Sequence, residues 1–127
     1  MGLLAVSHEP ASAAIVRHSI ADDLARRDIA QESVEDVVLV ASELVGNAVM
    51  HADASDGDLD IRWEIEPDAV VVRVLDGSPE LPHRRSPGAR DTGGRGLSIV
   101  AALALDWGVR RTSHGKLVWA RIPIMSA

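Results

Sequence analysis

The stretch Val37–His51, VVLVASELVGNAVMH, constrains the fold more than any other part of the chain. Glu43, Asn47 and His51 are spaced four apart, so on a helix of about 3.6 residues per turn they form one stripe. Around them stand Val37, Val38, Leu39, Val40, Ala41, Leu44, Val45, Ala48 and Val49. That surround is too apolar for a helix with one face in water, so the polar stripe belongs inside the protein.

On either side of this helix the periodicity changes twice. Leu3 to Val6 reads as a short first strand, ended by Ser7, His8, Glu9 and Pro10. Ala13, Val16, Ile20 and Leu24 then recur at helical spacing, predicting a packing helix that ends near Arg27 or Asp28. Ser33 and Asp36 resemble a capping box at the start of the central helix. Beyond the acidic, turn-rich segment Asp53–Asp60, Leu59, Ile61, Trp63 and Ile65 alternate with charged residues, as in a strand with one buried face. Pro67 and Asp68 make a turn, and the β-branched run Ala69–Leu75 returns as a more deeply buried hairpin strand ending at Asp76.

From Gly77 to Gly94 three prolines and three earlier glycines leave about 17 residues without regular structure, a length typical of functional lids or disorder. Gly93, Gly94, Arg95 and Gly96 open into an apolar helix over Leu97–Leu105. Two closing strands are expected around Trp107–Thr112 and Leu117–Ile124, with Ser113–Lys116 as their turn. This order suits an α+β fold, a two-layer sandwich with helices on one face of a mostly antiparallel sheet.

The 127 residues have room for a single domain, 1–127, with one core. The chain is 46 % hydrophobic and 25 % charged, a globular composition. No cysteine is present, which excludes disulfides, thiolate metal sites and a Cys nucleophile. The N-terminus has no signal-peptide pattern and no window approaches a membrane span, so a cytoplasmic location without membrane contact is expected. A net charge of −6 argues against direct nucleic-acid binding. One stretch departs from that average: Arg84, Arg85, Arg90 and Arg95 face only Asp91 between His83 and Arg95.

Three groups of residues carry chemistry. Glu43 and Asn47, one turn apart, can present a carboxylate and an amide carbonyl to a shared ligand such as a Mg²⁺ ion held mainly by phosphates. The structural alternative pairs Glu43 with an arginine, has Asn47 cap a strand and leaves His51 exposed. Asp76, at the end of a buried strand, accepts hydrogen bonds only, so it suits adenine's exocyclic amine and repels guanine's carbonyl; taken alone, it reads better as a turn-starting Asp. Gly-Gly-Arg-Gly before a helix offers unhindered backbone N–H groups and partial positive charge, a phosphate-binding arrangement that also serves plain turns.

Together, Glu43-x-x-x-Asn47-x-x-x-His51, Asp76-Gly77-Ser78-Pro79 and Gly93-Gly94-Arg95-Gly96-Leu97 resemble the N, G1 and G2 boxes of the GHKL ATPase superfamily, which has the Bergerat ATP-binding fold. The Trp107-Gly108 strand and the ending Gly-Lys-Leu-Val-Trp-Ala-Arg-Ile-Pro look most like its anti-sigma-factor serine/threonine kinase branch. The resemblance implies ATP and Mg²⁺, with Asn47 as metal ligand and Glu43 as general base. It implies that Asp76 reads adenine, with Ser78 in the same box, and that Gly94, Arg95, Gly96 and Leu97 hold the phosphates. His51 is implied as a pocket-lining residue. The implied activity is phosphorylation of a Ser/Thr of an antagonist protein together with binding of a sigma factor; the alternative is an ATP-binding regulatory interaction module without kinase activity. Members of the branch are often homodimers, and the Leu3–Val6 edge is a candidate surface for that.

Two departures stand out. The G1 pattern Asp-x-Gly-x-Gly reads Asp76-Gly77-Ser78-Pro79-Glu80, which implies a stiffer loop on the adenine side. Where related kinases carry a hydroxyl residue in the last hairpin, this chain has Lys116 and Leu117, which implies reduced adenine affinity.

Overall fold

The computed structural model describes residues 1–51, 57–77, 92–113 and 115–127. In chain order the elements are β1 (Gly2–Val6), α1 (Ser12–Ala25), α2 (Gln31–His51), β2 (Leu59–Ile65), β3 (Ala69–Asp76), α3 (Thr92–Leu103), β4 (Asp106–Thr112) and β5 (Gly115–Pro123). The β-branched run of β3 pairs with β2 on one side and β5 on the other. The sheet order is β1-β2-β3-β5-β4 with every pairing antiparallel.

The register decides where the core lies. Ile61, Val74 and Val118 stand directly across from one another, as do Trp63, Val72 and Ala120. Because side chains alternate across a strand, these rows put Leu59, Ile61, Trp63, Val70, Val72, Val74, Val118, Ala120 and Ile122 on one inner face, all buried. The three helices cover that face: α2 packs on β3 and β5, α1 on α2 and β1, and α3 on α2 and β5. The α+β sandwich expected from the periodicity is therefore the fold observed.

α1 contributes Val16, Ile20 and Leu24, spaced four apart and buried. On a neighbouring stripe Asp23 accepts a 2.7 Å hydrogen bond from Trp63 Nε1 of β2, tying helix to sheet, while Arg27 lies 3.4 Å from its other oxygen.

Three boundaries differ from expectation. α2 begins at Gln31, two residues before Ser33, so Ser33 is not a cap. Its hydroxyl accepts the Met125 N–H at 2.9 Å, and the chain after β5 pairs back on the link between α1 and α2 through Ala30 N–H to Met125 O at 2.8 Å and an Ile29–Ser126 bridge. A contact from 92 residues away took the hydroxyl that local spacing assigned to the helix start. α3 begins at Thr92 and ends at Leu103, so the Gly-Gly-Arg-Gly run lies within the helix rather than before it. β5 begins at Gly115, which places Lys116 in the sheet and not in the turn. Of the expected long loop, residues 78–91 lie outside the described residues.

Burial raises the Asp23 pKa, but the hydrogen bond from Trp63 and the charges of Arg27 and the N-terminus outweigh it, so the group titrates below its ordinary 3.8. A carboxyl with a depressed folded-state pKa contributes stability that is complete above the unfolded pKa and is lost as pH falls through the folded one. Asp23→Ala should cost about 1.5–3 kcal/mol near neutral pH, the range for hydrogen bonds to charged groups. In urea titrations the gap between variant and wild type should narrow as pH drops from about 5 to about 2; a constant gap would count against the assignment.

Candidate functional site

α2 crosses the inner face with Val37, Val40, Ala41, Leu44, Val45 and Ala48 buried. Apolar contacts on its sides fix its rotation, and that rotation aims the polar stripe. Asn47 is 9 % exposed and borders two cavities. One, of about 270 Å³, also takes in Glu43, Gly46 and Met50. The other, of about 10 Å³, is lined also by Leu44, Ala48, Asp76, Leu97, Lys116 and Val118. Among the described residues no arginine pairs with Glu43 and no side-chain hydrogen bond holds the Asn47 amide.

Asp76 and Lys116 end the inner-face rows of β3 and β5. They are opposite one another in the register, and the Lys116 ammonium donates to Asp76 Oδ1 at 3.1 Å. Lys116 is 2 % exposed and Asp76 5 %. Charges this deep are stable only when paired. Sequence reasoning assigned Lys116 to a turn and missed the pair. A signal was present: Asp76 is two residues past buried Val74, Lys116 two residues before buried Val118, and a period of two puts both on the core face. Lys116 is also the chain's only lysine.

Of the residues singled out from sequence, Asn47, Asp76 and Leu97 meet around the small cavity and Glu43 stands on the adjoining one. Gly94 falls among the first four positions of α3, whose backbone N–H groups have no intrahelical acceptor, and Arg95 and Gly96 follow it in the next turn. The side chains of Arg95 and His51 lie outside the described residues, as does Ser78.

Two glycines at the site should respond in opposite ways to alanine. Gly115 has φ +155°, and a Cβ there would run into the Asp76 carbonyl oxygen and the Gly77 backbone. Gly115→Ala should therefore cost about 1–3 kcal/mol in urea unfolding. Gly46 is inside α2 with open space where a Cβ would stand. Gly46→Ala should gain up to about 1 kcal/mol from helix propensity; a loss there would mean that the cavity wall is not open.

Residues 6–122 match the family model for the histidine kinase-like ATPase domain. No individually curated protein matches at a significant level. Among solved structures, the RsbU and RsbW domains of Rv1364c from Mycobacterium tuberculosis align with a TM-score of 0.68 and 18 % identity, over 100 % of this chain and 34 % of that one. The histidine kinase domain of the EL346 blue-light activated histidine kinase from Erythrobacter litoralis aligns with a TM-score of 0.58 and 21 % identity, over 90 % and 60 %. At these identities the likeness concerns the fold, and the chain spans only part of either neighbour. The family match extends over nearly the whole chain, and with it the expected resemblance to the GHKL superfamily holds: the chain belongs to the histidine kinase-like ATPase domain family.

Proposed function

We propose that this chain binds ATP with Mg²⁺ and transfers the γ-phosphoryl group to a serine or threonine of a small antagonist protein, as part of a switch that also engages a sigma factor. The observation that carries the reading is the position of Asn47, a buried amide with no side-chain partner among the described residues, standing between the Glu43 cavity and the Asp76 end of the sheet. An amide oxygen fits Mg²⁺, which takes few protein ligands when phosphates supply the rest. Bound there, the ion would neutralise phosphate charge. The RsbW-domain neighbour agrees with the branch of the superfamily indicated by the motifs.

In this reading Glu43 accepts the proton of the acceptor hydroxyl as its oxygen bonds to phosphorus, and ADP leaves with the β–γ bridging oxygen. The N-terminal end of α3, where Gly94 stands with Arg95, Gly96 and Leu97 in the turn behind it, offers its first backbone N–H groups and the positive end of the helix dipole to the phosphates. Asp76 receives the base. Ser78 and His51 complete the nucleotide site. Location in the cytoplasm fits this role, and no helix among the described residues is long and apolar enough to cross a membrane.

A second reading, a nucleotide-binding interaction module that does not phosphorylate its partner, is favoured by the engagement of Asp76 with Lys116. Glu43→Ala separates the two. Under the kinase reading it should leave ATP binding within about twofold and lower phosphotransfer by about 10²–10⁴, the usual contribution of a general base. Mass spectrometry of the antagonist after incubation with ATP measures this. Transfer that is unaffected by the substitution removes Glu43 as base, and no transfer in the wild type selects the second reading. Asn47→Ala should abolish the Mg²⁺-dependent part of ATP stabilisation in thermal shifts, which for wild type approaches about 2.7 kcal/mol at 100-fold excess over Kd.

A further inference from the structure

Among the described residues, the cavity that adjoins Asp76 is too small for a purine. The cavity beside Asp76 has a volume of about 10 Å³, room for about one water. The Lys116 side chain lines that cavity, and the carboxylate oxygen Oδ1 already accepts from its ammonium at 3.1 Å. Both side chains are almost fully buried, so the pair is part of the core and not a surface contact that water loosens.

We propose that Lys116 is the specificity-determining residue of the nucleobase subsite: in the nucleotide-free chain its ammonium holds Asp76 Oδ1, and adenine binds in competition with it. The inference rests on the nucleotide-binding reading given above. Its chemistry has two consequences. The adenine amine competes with a charge-assisted hydrogen bond for the carboxylate, which lowers ATP affinity. A bare carboxylate repels guanine's carbonyl oxygen, whereas a carboxylate with an ammonium beside it presents a donor as well as an acceptor. Lys116 therefore also weakens the preference for adenine over guanine. The residue type matters, since a lysine has a compact charge on a flexible four-carbon stem and can withdraw, while a planar guanidinium holds a carboxylate with two parallel bonds.

The test compares ATP and GTP binding by calorimetry for wild type, Lys116→Thr and Lys116→Met, each first shown to unfold cooperatively. Both variants should bind ATP at least about tenfold tighter than wild type, with GTP affinity unchanged or weaker, so that the ATP/GTP ratio rises. Equal ATP affinity in all three proteins would overturn the competition, and weaker ATP binding in both variants would make Lys116 a ligand of the base instead. If no folded protein binds either nucleotide, the nucleotide-binding reading itself falls and this inference with it. Binding by the variants alone is the extreme form of the expected result. Should the variants not fold, the wild type still decides: as the only lysine, Lys116 gives a single side-chain ammonium signal after ¹⁵N-lysine labelling. Saturation with ATP should shift or abolish that signal. ATP that binds and leaves it in place overturns the proposal.

Discussion

The burial of α2 against the paired strands β3 and β5 is the interaction on which the rest of the molecule depends. Val37, Val40, Ala41, Leu44, Val45 and Ala48 meet an inner sheet face built from Val70, Val72, Val74, Val118, Ala120 and Ile122. A fully buried Val or Leu side chain contributes about 1.5–3 kcal/mol relative to an exposed one, and ordering the chain costs free energy on a similar scale. A helix so apolar gains little from folding until it is covered, which is why α1 and α3 flank it. The same packing serves the site. Once the apolar sides of α2 are seated, the rotation of the helix is set, and Asn47 and Glu43 are aimed with no side-chain hydrogen bond or ion pair to another described residue holding them.

At one end of that face the apolar rows give way to an ion pair. Asp76 and Lys116 continue the inward-facing positions of β3 and β5, so the sheet's alternation buries two charges side by side. Removing either would leave the other uncompensated in a low-dielectric interior, which is strongly destabilising. Next to the pair, a Cβ at Gly115 would run into the Asp76 carbonyl oxygen and the Gly77 backbone, so β5 opens on a glycine there. If Asp76 reads a base as proposed, structure and recognition compete for one carboxylate, since the same group neutralises the only lysine in the chain.

Much of the fold was legible from hydrophobic period alone. The alternation in Leu59–Ile65, the continuous run in Ala69–Leu75 and the four-residue spacing of Val16, Ile20 and Leu24 each reproduce an observed element to within a residue or two. Boundaries failed where a distant partner intervened. Ser33 reads locally as a cap, but the chain end reaches it first through the Met125 N–H. The Gly-Gly-Arg-Gly run reads as a turn, since glycine disfavours helix by about 1 kcal/mol per residue, yet α3 begins ahead of it, with apolar contacts holding the later turns in place. Lys116 reads as a turn residue because a charged side chain is rarely buried, and nothing near it in the sequence shows that a carboxylate 40 residues away will meet it.

By itself the sequence determined the elements, their order, the apolar character of the central helix and the residue types of the candidate site. These depend on period and on side-chain chemistry, which neighbours along the chain already express. The tertiary structure alone decided that Asn47 adjoins both cavities and that Asp76 is engaged by Lys116. The reason is strand register: the pairing of β3 with β5 settles which side chains stand opposite one another, and a shift of one residue would have sent both charges to the other face of the sheet.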